Sequence, residues 1–205
     1  MDTSFPSDGN ATVRRPVGVA VALIMLGAVG WIAAFTLSLE KLRSLADPTA
    51  SLSCDFSVLV QCQRNLTSWQ GELFGFPNPL LGVAGWIAPI TVGVALLAGA
   101  RFARWFWLLF ATGMAGAMAL IVFLVYQSIY VLATLCPWCM VTWAVTIPAF
   151  WIAVLHCIRE VLPPRHARLV AVAQGGLGFV PVVSLVSYAL IAVLAQLRLD
   201  VISYL

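Results

Sequence analysis

Charge is what this chain has least of: 9% of its 205 residues are Asp, Glu, Lys or Arg, and two are histidine. A soluble globule of that length cannot cover itself with so little polar surface, which excludes a water-soluble fold. The 11 basic residues stand singly or in pairs between long apolar runs and never gather into a patch. Nucleic acid therefore has no electrostatic footprint to bind. Cysteine is also scarce, and five residues are too few for a disulfide scaffold. Their meaning depends on where the membrane places them.

What the chain has in abundance is apolar length, with 62% of its residues hydrophobic. Five stretches, 17–39, 80–100, 105–126, 139–158 and 169–194, are each long enough to cross a bilayer core of about 30 Å. Pro89, Pro148 and Pro181 fall inside spans, where neighbouring helices repair lost hydrogen bonds and a kink is tolerated. Ala111, Ala115 and Ala119 recur at four-residue spacing and would let helices approach closely, as ordinary bundle packing. Arg14 and Arg15 precede the first run, but that run is too long for a cleaved signal and reads as an uncleaved helix. The expected organisation is a disordered cytoplasmic tail over 1–15, an all-α membrane domain over 16–198 with an outer loop at 40–78, and a short tail over 199–205.

If the five helices alternate, Arg14, Arg15, Arg101, Arg104, Arg159, Arg165 and Arg168 share one side, whereas Lys41, Arg43, Arg64 and Arg198 face the other. The excess of positive charge marks the first side as cytoplasmic. Cys54, Cys62, Cys136 and Cys139 then lie at the outer face, where disulfides persist. Cys157, His156 and His166 fall at the cytoplasmic end. The cysteine reads as a structural thiol, and neither histidine reads as a catalytic base.

The motif with most chemical content is Cys136-Pro137-Trp138-Cys139, at the start of the fourth span. Proline has a fixed helical φ and no N–H to leave unpaired, so Pro137 suits the first helical position and Cys136 the N-cap. Cys139 then lies one turn on along the same face, close enough for a reversible disulfide. Free N–H groups and the helix dipole favour a thiolate there, the species that reacts, while apolar burial opposes it. The loop supplies a second pair, Cys54 and Cys62, and thiol exchange between the pairs would run through a mixed disulfide. The apolar loop stretch at 56–60 would dock on the bilayer surface or cap a pocket. Two other uses of the cysteines remain open at this point: a zinc site built from Cys54, Cys62, Cys136 and Cys139, or two structural disulfides. The eight-residue spacing of the first pair is atypical for zinc.

The ordered set Cys54, Cys62, Ser68, Gly75-Phe76-Pro77-Asn78 and Cys136-Pro137-Trp138-Cys139 resembles the vitamin K epoxide reductase family over roughly residues 17–160. It is most similar to the bacterial members that regenerate disulfides. The resemblance implies a four-helix bundle around a quinone, plus one additional helix, in a bacterial inner membrane. It implies that Cys54 takes electrons from a partner and that Cys62 forms the transient bond to Cys136. Cys139 would reduce a quinone of the menaquinone or ubiquinone type, with Ser68 assisting and Asn78 hydrogen-bonding a quinone carbonyl. Trp143 stands where the vertebrate enzymes carry a tyrosine that contacts substrate. An indole lines an apolar pocket but cannot replace a phenol, so plain quinone reduction is expected rather than epoxide reduction. The chain ends at Leu205, where some bacterial members continue into a fused thioredoxin-like domain. A separate DsbA-like thioredoxin-fold protein is the expected partner. A DsbB-type oxidase performs the same chemistry but carries its Cys-x-x-Cys early, and a non-enzymatic membrane protein with metal-binding or structural cysteines is the other alternative.

Overall fold

The computed structural model describes residues 16–49 and 51–204, so the tail expected at 1–15, with Arg14 and Arg15, lies outside the described residues. The chain is helical almost throughout. Its elements are α1 (Val17–Ala46), α2 (Gln63–Thr67), α3 (Asn78–Gly85), α4 (Ile87–Leu97), α5 (Arg104–Tyr126), α6 (Pro137–Val161) and α7 (Ala167–Leu199), with short 3-10 and π turns between them. No strand forms among the described residues. Five helical segments are long and apolar enough to cross a membrane, α3 with α4 counting as one and α5 with its following π turn as another. Phe179, Leu185 and Val186 on α7 are exposed, which suits a face turned toward lipid.

α6 is the central helix, packing against α1, α5 and α7, while α1 also packs along α3 and α4. The four-helix core is thus α1, α3/α4, α5 and α6, with α7 laid on the outside of α6. Leu23, Trp86, Trp107, Met114 and Ala149 belong to the buried cluster at its centre, together with the thiol of Cys157. His156 is buried edge-on against the Trp107 ring, 4.5 Å between centroids.

Close helix approach is made by glycines rather than by the alanine ladder read from the sequence. A Cβ on Gly30 would sit 2.2 Å from the Trp86 indole, and one on Gly93 2.7 Å from the Ala20 carbonyl oxygen. The tight seam is therefore α1 against α3/α4. Ala115 and Ala119 are exposed instead, because this stretch of α5 borders lipid and the open interior rather than a neighbouring backbone.

The prolines act differently according to what replaces the lost bond. α3 and α4 part at Trp86, three residues before Pro89. α6 runs unbroken through Pro148. Proline at 148 cannot donate to the Ala144 carbonyl one turn back, and the Tyr188 hydroxyl on α7 donates to that oxygen instead. The repair also pins α7 to α6.

α1 extends past residue 39 to Ala46, so part of the stretch expected as loop is helix. The reason is that Glu40 and Lys41 are buried, 2% and 5% exposed, and find partners in the folded loop. Glu40 accepts from the Ser53 hydroxyl and backbone N–H and from Arg43. Lys41 donates to the Leu66 carbonyl at 2.7 Å and pairs with Glu72 at 2.7 Å. The end of α1 thus holds the loop at two points.

Candidate active site

The loop between α1 and α3 folds over the N-terminus of α6. Asp55 organises its first half, its carboxylate accepting from the backbone N–H groups of Cys62 at 2.7 Å, Gln63 at 3.2 Å and Leu52 at 3.2 Å. One side chain therefore anchors the start of α2 and draws Cys62 toward Cys54. Those two cysteines form a disulfide.

A two-bond parallel bridge then sets the loop against α6. Leu135 N–H donates to the Leu59 carbonyl at 2.8 Å, and Gln61 N–H donates to the Leu135 carbonyl at 3.1 Å. Cys62 follows Gln61 and Cys136 follows Leu135, and their sulfurs come together: Sγ of Cys62 lies 3.2 Å from Sγ of Cys136. The segment before Leu135 is made rigid by the bond from the Ser128 hydroxyl to the Thr134 carbonyl and by Ala133, at φ +50°. Leu37, Leu52 and Leu66 complete an apolar shell around Cys54, Cys62 and Cys136, with Trp138 and Cys139 at its edge. Phe56 and Val58, from the apolar loop stretch, point outward and are exposed.

Cys136 is the N-cap of α6 and Pro137 its first residue. The Cys139 N–H donates to Sγ of Cys136 at 3.4 Å. The Cys136 thiol is held below the ordinary cysteine range, chiefly by the hydrogen bond from the Cys139 thiol. Burial opposes this, the N–H groups of Cys139 and Trp138 reinforce it, and the Asp55 charge weakly opposes it. The Cys136 thiol is also fully buried and faces a disulfide sulfur. Cys136 and Cys139 are both free thiols. With Cys54 and Cys62 tied to each other, the four thiolates of a zinc site are not assembled, and no cluster of metal-ligating side chains occurs among the described residues.

Cys139 looks the other way, into a partly open apolar cavity of about 1100 Å³ lined by α1, the loop between α1 and α3, α3, α4, α5 and α6. Trp86, Phe110, Met114 and Trp143 are among its walls, and Trp143 is 4% exposed. Ser68 and Asn78, singled out from the sequence, also line it. Their polar atoms serve the loop. The Ser68 hydroxyl donates to the Asn65 carbonyl at 2.8 Å, while Asn78 donates to the Gln70 carbonyl at 2.6 Å and accepts from Leu73 N–H at 3.1 Å. The structure therefore gathers all seven expected residues at one end of the bundle.

It also adds residues that sequence reasoning missed. Asp55, Glu40 and Lys41 hold the loop, and Asn65, Gln70 and Gln127 line the cavity. The one signal for the first three is charge beside an apolar run in a chain with little charge. The amides gave no signal, because only the fold turns them inward.

The site brings two cysteine pairs together. A loop disulfide touches the buried thiol of Cys136, and Cys139 faces an apolar chamber within the membrane-spanning bundle. No curated protein matches the chain. The sequence pattern of the vitamin K epoxide reductase family, whose members are oxidoreductases acting on thiols and disulfides, matches residues 21–154, from the first span to beyond the Cys-x-x-Cys. This integral membrane protein belongs to the vitamin K epoxide reductase family.

Proposed function

We propose that the protein is a membrane thiol:quinone oxidoreductase that reoxidises a thioredoxin-fold partner of the DsbA type and sustains disulfide formation in exported proteins. The observation that carries this reading is the 3.2 Å contact between Cys62 and Cys136, with Cys139 on the cavity wall. The cysteine end would face outward from a bacterial inner membrane. Arg101, Arg104, Arg159, Arg165 and Arg168 lie at the opposite end of the alternating helices, which supports that orientation.

The cycle balances over two exchanges and one two-electron oxidation. A partner dithiol reduces Cys54–Cys62 and leaves as a disulfide. The Cys62 thiolate attacks Sγ of Cys136 in a Cys136–Cys139 disulfide, forming Cys62–Cys136 and releasing the Cys139 thiolate. Cys54 then attacks Cys62 and releases the Cys136 thiolate. A quinone in the cavity supplies the final acceptor chemistry, taking two electrons and two protons and leaving as a hydroquinone. On the protein, the two thiols become the Cys136–Cys139 disulfide again. In this cycle a loop disulfide with two helix thiols, the pairing seen here, is the state after internal exchange and before the final oxidation.

The cavity fits such an acceptor. Its walls are apolar and aromatic, and two buried amide atoms on its lining, Gln70 Oε1 and Asn65 Nδ2, have no protein partner. The test uses purified protein, a reduced thioredoxin-fold partner and a panel of benzo- and naphthoquinones, with quinone loss followed optically. Wild type should couple partner oxidation to quinone reduction one for one, and Cys136→Ala or Cys139→Ala should stop it. Normal rates in both variants would refute the relay.

A further inference from the structure

The cavity has eight polar side chains on its lining, and most are already committed. Thr91, Thr142 and Thr146 each donate to a carbonyl one turn back in their own helix. Ser68 and Asn78 close the loop, and Gln127 accepts from Gln70 Nε2 at 3.3 Å. Two groups are left over. Asn65 Nδ2 and Gln70 Oε1 are buried without a hydrogen-bond partner, and Gln70 is only 3% exposed. Folded proteins leave few such atoms unpaired, so two on one cavity call for a common explanation.

The backbone places them together. The turn over residues 68–71 is folded directly onto Asn65, so closely that a Cβ on Gly71 would stand 2.4 Å from the Asn65 carbonyl oxygen. Leu66, the next residue after Asn65, packs in the cysteine cluster. The leftover amide atoms thus belong to the end of the cavity that carries Cys139, and they are complementary: one donor and one acceptor. An oxidised quinone ring offers only acceptors, whereas its hydroquinone adds two O–H donors.

We propose that Asn65 and Gln70 form the polar recognition pair for the ring, Asn65 Nδ2–H donating to a ring oxygen and Gln70 Oε1 accepting the hydroxyl hydrogen that appears on reduction. This rests on the quinone reading above. Asn65 holds the ring in either redox state, and Gln70 discriminates in favour of the product. Asn78, whose amide is engaged by Gln70 and Leu73, acts by positioning the turn that carries Gln70.

The test is binding of menadione and of menadiol, kept anaerobic, to Cys139→Ala protein, which cannot turn over. The readout is quenching of tryptophan fluorescence, with Trp86 and Trp143 on the cavity wall as reporters. Adding Asn65→Leu should weaken both ligands about tenfold, the equivalent of about 1.4 kcal/mol. Adding Gln70→Met should weaken menadiol about tenfold and menadione less than threefold, and Gln70→Glu, which keeps an acceptor oxygen, should restore menadiol. Dithiothreitol should reduce the Cys54–Cys62 disulfide at the parent's rate, which shows the loop still closed. Unchanged affinities, or equal loss of both ligands in Gln70→Met, would overturn the assignment. Should Gln70→Met loosen the loop, the dimethyl ether of menadiol makes the same cut on the ligand: it should bind the parent about tenfold more weakly than menadiol, and equal binding overturns the Gln70 role. A parent protein that binds no quinone and reduces none would instead refute the functional reading itself.

Discussion

Replacing Lys41 by methionine should unlatch the loop while leaving the membrane bundle intact. Methionine keeps the length and volume of the side chain, so no large cavity opens and what is lost is polar. The Leu66 carbonyl loses a charged donor at 2.7 Å, a bond of a kind worth about 1.5–3 kcal/mol. The pair with Glu72 adds little, since that carboxylate's side chain is 42% exposed and rehydrates; such pairs contribute about 0–1 kcal/mol. Relief from burying an ammonium offsets part of the sum, leaving loop docking weaker by about 2–3 kcal/mol. At 1.4 kcal/mol per factor of ten, the open population rises about 30- to 140-fold. Cys54 and Cys62 are almost completely shielded when the loop is down, 2% and 0% exposed, so a soluble reductant must act on the open form. The assay is the rate of Cys54–Cys62 reduction by dithiothreitol, read by maleimide trapping, and it should scale with that population. A Lys41→Met rate within threefold of wild type, at unchanged melting temperature, would refute the idea that this buried ammonium holds the loop closed.

Cys54→Ala should accumulate a Cys62–Cys136 disulfide during turnover, because the sulfurs are already in contact and the cysteine that resolves the bond is missing. Peptide mapping by mass spectrometry that finds no such cross-link would contradict the relay order. Run in reverse, from the Cys136 and Cys139 thiols onto the Cys54–Cys62 disulfide, internal exchange should follow the Cys136 thiolate, whose fraction rises with pH through a pKa below the ordinary 9.0. Asp55 raises that pKa, so Asp55→Asn should move the titration lower and extend the thiolate to more acidic pH. Ultraviolet thiolate absorbance measures it, and an upward shift would show that the loop geometry, not the charge, sets the acidity.

The membrane fold, its five crossings and the two cysteine pairs were legible in the sequence because each rests on local information. Apolar length reports a span, and Pro137 after Cys136 reports a helix start. The same local reasoning misassigned close packing to Ala115 and Ala119, which are exposed, since spacing along one helix says nothing about which neighbour it meets. It also ended α1 at residue 39, where charge begins, although Glu40 and Lys41 are buried by loop segments that follow later in the chain.

The sequence by itself determined that the protein crosses a membrane and carries two dithiols suited to exchange, because hydropathy and helix capping act between residues close in the chain. Only the tertiary structure decided which sulfur meets which. The Val60–Leu135 bridge and the Asp55 carboxylate bring Cys62 onto Cys136 across 74 residues of chain. It likewise turned Asn65 and Gln70 into the cavity, where Gln70 meets Gln127 across 57 residues of chain. Contacts of that kind depend on three-dimensional register, which no local pattern encodes.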